Sequence, residues 1–187
     1  MIQFYKPNAK VTGTACSFWL NRDNSVMASM IKQASWNSDR KIGSFAKNKD
    51  NPKKRVIVKL SRLEVAAIMD SIQSNRELST YHRSQNQVLQ IKFCPYVRDE
   101  QQVGFSFSVN KQEKEDSTAR TGFIIGFTFP EAKLLSHDLG LFLDQTSHSQ
   151  EDNREDEVKA PTPQPSPLKV TDLEEEGVLD QNDDEPW

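Results

Sequence analysis

Glycine is scarce in this chain, seven among 187 residues; histidine numbers three and cysteine two. No glycine-rich phosphate loop, nucleophile elbow or H-E-x-x-H pattern is present, which removes the commonest signatures of nucleotide, acyl-transfer and zinc chemistry. His82, His137 and His148 are isolated, with no cysteine or carboxylate partners at metal-ligand spacing. Cys16 and Cys94 sit far apart in apolar runs, the pattern of small reduced core residues rather than of a disulfide framework or metal site. No stretch approaches the roughly 20 apolar residues of a membrane span. The opening M-I-Q-F-Y-K-P-N lacks the basic and apolar regions of a secretory signal. These absences predict a soluble cytoplasmic protein that is not an enzyme, needs no cofactor or metal, and keeps away from membranes.

What is present is charge, unevenly placed. The net charge of −3 averages two opposite parts. From Glu151 onward, 13 acidic residues face 3 basic ones, whereas residues 1–150 carry 21 basic against 14 acidic. The first 62 residues are more lopsided, with 13 Lys and Arg against Asp23, Asp39 and Asp50. Fifteen of the 16 aromatic residues also lie in the basic part. A basic, aromatic body with an acidic tail suggests a nucleic-acid binder, though ordinary surface charge gives the same sum.

The body is expected over residues 1–146. From residue 147 apolar side chains thin out, and A-P-T-P-Q-P-S-P (residues 160–167) favours extended chain between acidic runs. Residues 147–187 bury too little apolar area to offset their ordering entropy, so a disordered tail is expected there.

An internal repeat organises the body. V-I-V-K-L-S-R-L-E-V-A-A-I-M (residues 56–69) and F-I-I-G-F-T-F-P-E-A-K-L-L-S (residues 123–136) align at an offset of 67, matching Ser61 with Thr128 and Glu64 with Glu131. Each reads as a strand turning directly into a helix. Ser61-x-x-Glu64 and Thr128-x-x-Glu131 both fit the capping box, and Pro130 suits a first helical turn. Capping also accounts for the two glutamates without a catalytic role. Val65, Ile68, Met69 and Ile72 form one apolar stripe; Ala132, Leu135, Leu139 and Phe142 form the other. Strands are expected at residues 3–5, 12–20, 26–36 and 55–60 before the first junction, with Asn21 to Asn24 as a hairpin turn. Before the second they are expected at 87–93, 104–109 and 122–129. Two units of antiparallel strands followed by one helix make an α+β domain.

This doubled unit, with a glutamate in the first turn of each helix, resembles the whirly fold. That fold is shared by plant whirly proteins, kinetoplastid mitochondrial RNA-binding proteins and some phage single-stranded-DNA-binding proteins. The runs K-P-N…T-G-T-A-C-S-F, I-K-Q-A-S-W-N and N-P-K-K-R-V-I-V-K-L look most like the phage type. The resemblance spans residues 1–146. The Lys-Gly-Lys-Ala-Ala-Leu stretch of plant members is absent, so none of their binding residues is carried over. The tip Asp183, Asp184, Glu185, Pro186 and Trp187 is similar to the acidic tips of bacterial and phage single-stranded-DNA-binding proteins, which dock on replication and repair proteins. A merely solvated tail is the plainer reading.

The resemblance implies a single-stranded-DNA-binding protein of replication, recombination or repair, phage-encoded and acting in a bacterial host's cytoplasm. Its partners would be single-stranded DNA and, through the tail, replication or recombination proteins; homo-oligomers fit the family. The alternative is an RNA-binding or transcription-regulating whirly-type protein. Binding of single strands needs cations for phosphates and aromatic faces for bases. The candidates are Trp19, on the strand face opposite Cys16, Phe18 and Leu20, and Trp36, with Lys32 beside it; for both tryptophans a core place has nearly equal support. The loop S-F-A-K-N-K-D-N-P-K-K-R offers Phe45 among Lys47, Lys49, Lys53, Lys54 and Arg55, with a tucked-in Phe45 as the plainer reading. His82 and Arg83, in an expected linker, and Lys92 complete the set. The acidic tail is expected to fold back over the basic body and compete with nucleic acid.

Overall fold

Residues 1–114 and 120–158 are described by a computed structural model, the side chains as far as residue 147. In the first unit β1 (Ile2–Lys6), β2 (Thr14–Leu20), β3 (Val26–Lys32) and β6 (Arg55–Leu60) form an antiparallel sheet in the order β1-β2-β3-β6. A small hairpin, β4 (Ser35–Asn37) and β5 (Ile42–Ser44), is inserted between β3 and β6. Helix α1 (Arg62–Ser74) follows. The second unit repeats this order with β7 (Leu78–Arg83), β8 (Gln87–Arg98), β9 (Gln101–Glu113), β10 (Arg120–Phe127) and α2 (Phe129–Val158).

Alternation decides which faces meet. Phe4 and Phe18 of the first sheet turn inward against Phe127 and Phe107 of the second, with ring centres 4.9 and 5.6 Å apart. Phe93 lies between Phe105 and Phe127 at 5.8 and 6.1 Å. Val65 and Ile68 of α1, with Leu135 and Leu139 of α2, are fully buried in the same cluster. Each such side chain contributes about 1.5–3 kcal/mol when removed from water. The remaining face of each sheet is left open.

The first helix start is the expected capping box, and the second shows the glutamate half of one. Ser61 Oγ accepts from the Glu64 N–H at 3.2 Å, and Glu64 Oε2 accepts from the Ser61 N–H at 2.9 Å. Glu131 Oε2 reaches back to the Thr128 N–H at 2.8 Å. Asn75, left-handed at φ 56°, ends α1.

Three expectations differ from the structure. The strand expected over residues 26–36 breaks at Gln33, and its remainder pairs in the β4–β5 hairpin. The segment expected to link the halves is edge strand β7, paired along its length with β8. Helix α2 continues through the boundary expected at residue 146, because no proline or glycine interrupts residues 141–160. The rest of the expected tail, with Asp183, Asp184, Glu185, Pro186 and Trp187, lies outside the described residues. Among the described residues no helix is long and apolar enough to cross a membrane.

Candidate nucleic-acid interface

The inward set of the first sheet, Phe4, Cys16, Phe18, Ala28, Met30 and Val58, forces its neighbours outward. Strand register then sorts the outward side chains into rows. Tyr5, Ala15, Ile31 and Arg55 stand in one row across the four strands. Gln3, Ser17, Ser29 and Ile57 form the next, and Trp19, Met27 and Lys59 the third. Small residues in the middle leave an open groove of about 660 Å³, walled by Tyr5, Trp19, Ile31, Phe45, Lys49 and Arg55.

Each wall residue has a local reason for its place. Tyr5 is 56% exposed, and its ring leans on Phe45 at 5.9 Å between centres. Trp19 is half-buried, outward because Phe18 and Cys16 are core. Arg55 donates from Nε to Ser29 Oγ at 3.2 Å and from a terminal nitrogen to the Lys49 carbonyl at 3.0 Å. These bonds lay its guanidinium along the groove edge. The basic loop that follows β5 is fastened by Asn48, whose side chain donates to the Lys32 and Gln33 carbonyls at 2.9 and 3.2 Å. Lys47, Lys49, Lys53 and Lys54 are all exposed on it.

The other expected site residues lie in a variety of settings. Phe45 is 8% exposed: it packs under Tyr5 as a prop, because an apolar ring beside an apolar wall is better covered than solvated. Lys32 shares the inward parity of Met30, and its Nζ lies 5.1 Å from the centre of the Phe123 ring, in the seam between the sheets. Burial, and then the charge of Lys54, lower its pKa. Trp36 sits on β4 opposite Gly43, away from the groove. His82 is engaged by Glu64 at 2.7 Å. Lys92 donates to Glu77 at 2.9 Å, a bond that raises the lysine's pKa. Arg83 is exposed on edge strand β7 of the other sheet. The groove therefore gathers Trp19, Phe45, Lys49 and Arg55 of the expected set, Phe45 as a covered part of the wall, with the other loop lysines beside it. Tyr5 was not foreseen, although the inward place of Phe4 already turns its neighbour out.

The second sheet also shows an open face, on which polar side chains are interspersed with apolar ones such as Ile124. Tyr81, Gln90, Asn110 and Arg120 line a shallow depression there, with Gln90 donating to the Tyr81 hydroxyl at 2.7 Å. Cys16 and Cys94 are free thiols; burial pushes the pKa of Cys16 far up, so its thiolate is suppressed.

Two solved structures share this architecture. The crystal structure of WHY1 from Arabidopsis thaliana is similar with a TM-score of 0.55 and 12% identity, over 86% of this chain and 94% of that one. The structure of the plant transcriptional regulator PBF-2 is similar with a TM-score of 0.55 and 14% identity, over 81% of this chain and 85% of that one. No protein-family model and no curated protein matches the sequence. The fold is the whirly fold, an α+β arrangement of two sheets and two helices.

Proposed function

We propose that this protein binds single-stranded DNA in replication, recombination or repair, that it is phage-encoded and cytoplasmic, and that its acidic tip docks partner proteins. The observation that carries the reading is the groove on the first sheet, where Tyr5 and Trp19 stand beside Arg55 and a lysine loop. Bases laid in the groove stack on the two rings, each stack worth about 1–3 kcal/mol. Phosphates follow Lys47, Lys49, Lys53 and Lys54, releasing counterions. A duplex turns its base faces inward and offers these rings nothing, so the groove selects unpaired strands.

The tail enters as a competitor. Residues 159–187 carry eight acidic and two basic residues, and covalent attachment lets that charge compete with nucleic acid for the loop lysines. Titrating labelled oligo-dT by anisotropy tests both parts of the reading. The chain ending at residue 158 binds more tightly than the whole chain and loses its protein partners. Weaker binding by the shortened chain contradicts the autoinhibition. Self-assembly is also proposed, through the helices, where Leu63, Leu134 and Leu141 are 82, 53 and 47% exposed. Light scattering that gives a monomer mass contradicts it.

The likeness to PBF-2, named as a plant transcriptional regulator, favours a second reading in which the groove serves transcription. Preference for a particular sequence, or for RNA over DNA, selects that reading.

A further inference from the structure

Gln33 is 5% exposed and polar, yet every hydrogen-bonding side of its amide is used. Its Oε1 accepts from the Asn8 and Gly13 N–H groups at 2.9 and 3.2 Å. Its Nε2 donates to the Asn8 and Ser35 carbonyls at 3.0 and 2.9 Å. One side chain thus joins the loop between β1 and β2 to the β4–β5 hairpin. Close approach completes the lock: a Cβ on Gly43 would stand 2.4 Å from Pro7 Cβ and 2.9 Å from Gln33 Nε2. A buried amide with four satisfied bonds holds its surroundings rigidly, since breaking any of them leaves an unpaired polar group.

The unit held this way carries an unusual surface. Lys10, Arg40 and Lys41 are exposed on it, and Val11 and Ile42 are 41 and 59% exposed. Val11 and Lys41 both take left-handed backbone, φ 57° and 53°, a costly conformation above all for a β-branched residue. The unit grows out of β1 and β3 at the end of the sheet that carries the Tyr5, Ala15, Ile31 and Arg55 row. It therefore begins where the first row of the groove ends.

We propose that this Gln33-clamped loop and hairpin form a rigid arm that extends the nucleic-acid path, taking phosphates on Lys10, Arg40 and Lys41 and covering the adjoining nucleotides with Val11 and Ile42. The arm rests on the single-strand reading of the groove but adds a separate element to it. It makes binding depend on strand length: a short strand fills the groove alone, and a longer one reaches the arm.

The test compares the full-length chain with its Lys10→Ala/Arg40→Ala/Lys41→Ala variant, all exposed positions, against oligo-dT of about 8 and about 20 nucleotides, within the range of site sizes such proteins show. Equal urea midpoints establish that both fold. The variant binds the short strand as the wild type does, loses at least about tenfold for the long strand at low salt, and its salt slope on the long strand falls by roughly two, near 0.7 per contact. An unchanged long-strand affinity overturns the arm while leaving the groove intact. An equal loss on both strands also overturns it, because the cations then act only as a diffuse field. Failure of the wild type to bind either strand overturns the arm and the single-strand reading together.

Discussion

His82 Nε2 stands 2.7 Å from Glu64 Oε1, so the first strand of the second unit holds the capping glutamate of the first unit's helix. Lys6, on the first strand of the first unit, makes the same contact with Glu131 at the start of α2. Each repeat thus lends the other a side-chain partner for its helix-capping glutamate. Each helix N-terminus, where negative charge is already favoured, is fixed to the other unit's sheet. This exchange makes one domain of two half-domains.

The exchange sets the acid stability. Burial pushes the Glu64 carboxyl up, but the Ser61 N–H, His82 and the Ser61 hydroxyl outweigh it and hold the pKa below the ordinary value. Burial likewise raises Glu131, and Lys6 with the Thr128 N–H and hydroxyl lowers it further than burial lifts it. A depressed folded-state pKa gives stability that is present above the unfolded value, about 4.3, and lost as pH falls through the lower folded value. Urea midpoints of the wild type fall on acidification from about pH 5 to pH 3. Glu64→Gln with Glu131→Gln lowers the midpoint at neutral pH and flattens that fall. An unchanged acid dependence in the double variant contradicts the assignment.

Stacking predicts a separable loss. Trp19→Ala and Tyr5→Ala each weaken oligo-dT binding by about 1–3 kcal/mol, or roughly 5- to 150-fold. Trp19→Phe retains most of the affinity while removing much of the fluorescence change. Equilibrium titration of the variants checks both statements.

Arg55, bonded to Ser29, is the proposed phosphate contact at the groove edge. Arg55→Met reduces the logarithmic salt slope on single strands by about 0.7, the share of one contact. Titration across a salt series reads it directly.

Gly104 has no substitute. At φ 152° an added Cβ would lie 1.9 Å from the Phe127 carbonyl oxygen on the neighbouring strand. Gly104→Ala costs more than about 2 kcal/mol by urea denaturation, since backbone rather than a yielding side chain blocks it.

The repeat was legible because its signals are local. A hydroxyl and a glutamate three residues apart mark a helix start in the sequence, as Ser61 and Thr128 show. Alternation around Phe18 likewise turned Trp19 outward on paper. Strand β7 was missed because L-S-T-Y-H-R has little apolar alternation: its inward His82 is held by a carboxylate on a helix distant in sequence. The β4–β5 hairpin has three-residue strands, too short for a period to show. The places of Phe45 and Lys32 were hard to read for different reasons. A loop side chain has no parity to read, so only tertiary contact with Tyr5 could seat Phe45. For Lys32 the parity of Met30 was available, but a charge next to Trp36 drew the reading to solvent.

The most direct test is tryptophan fluorescence of the wild-type chain titrated with oligo-dT, the matching RNA and a duplex over a salt series. The account predicts strong quenching by the unpaired DNA, little response to the duplex, a steep salt slope, and a much smaller quench in Trp19→Phe. Equal quenching by duplex, or a full quench that survives loss of Trp19, contradicts a single strand stacked in the groove of the first sheet.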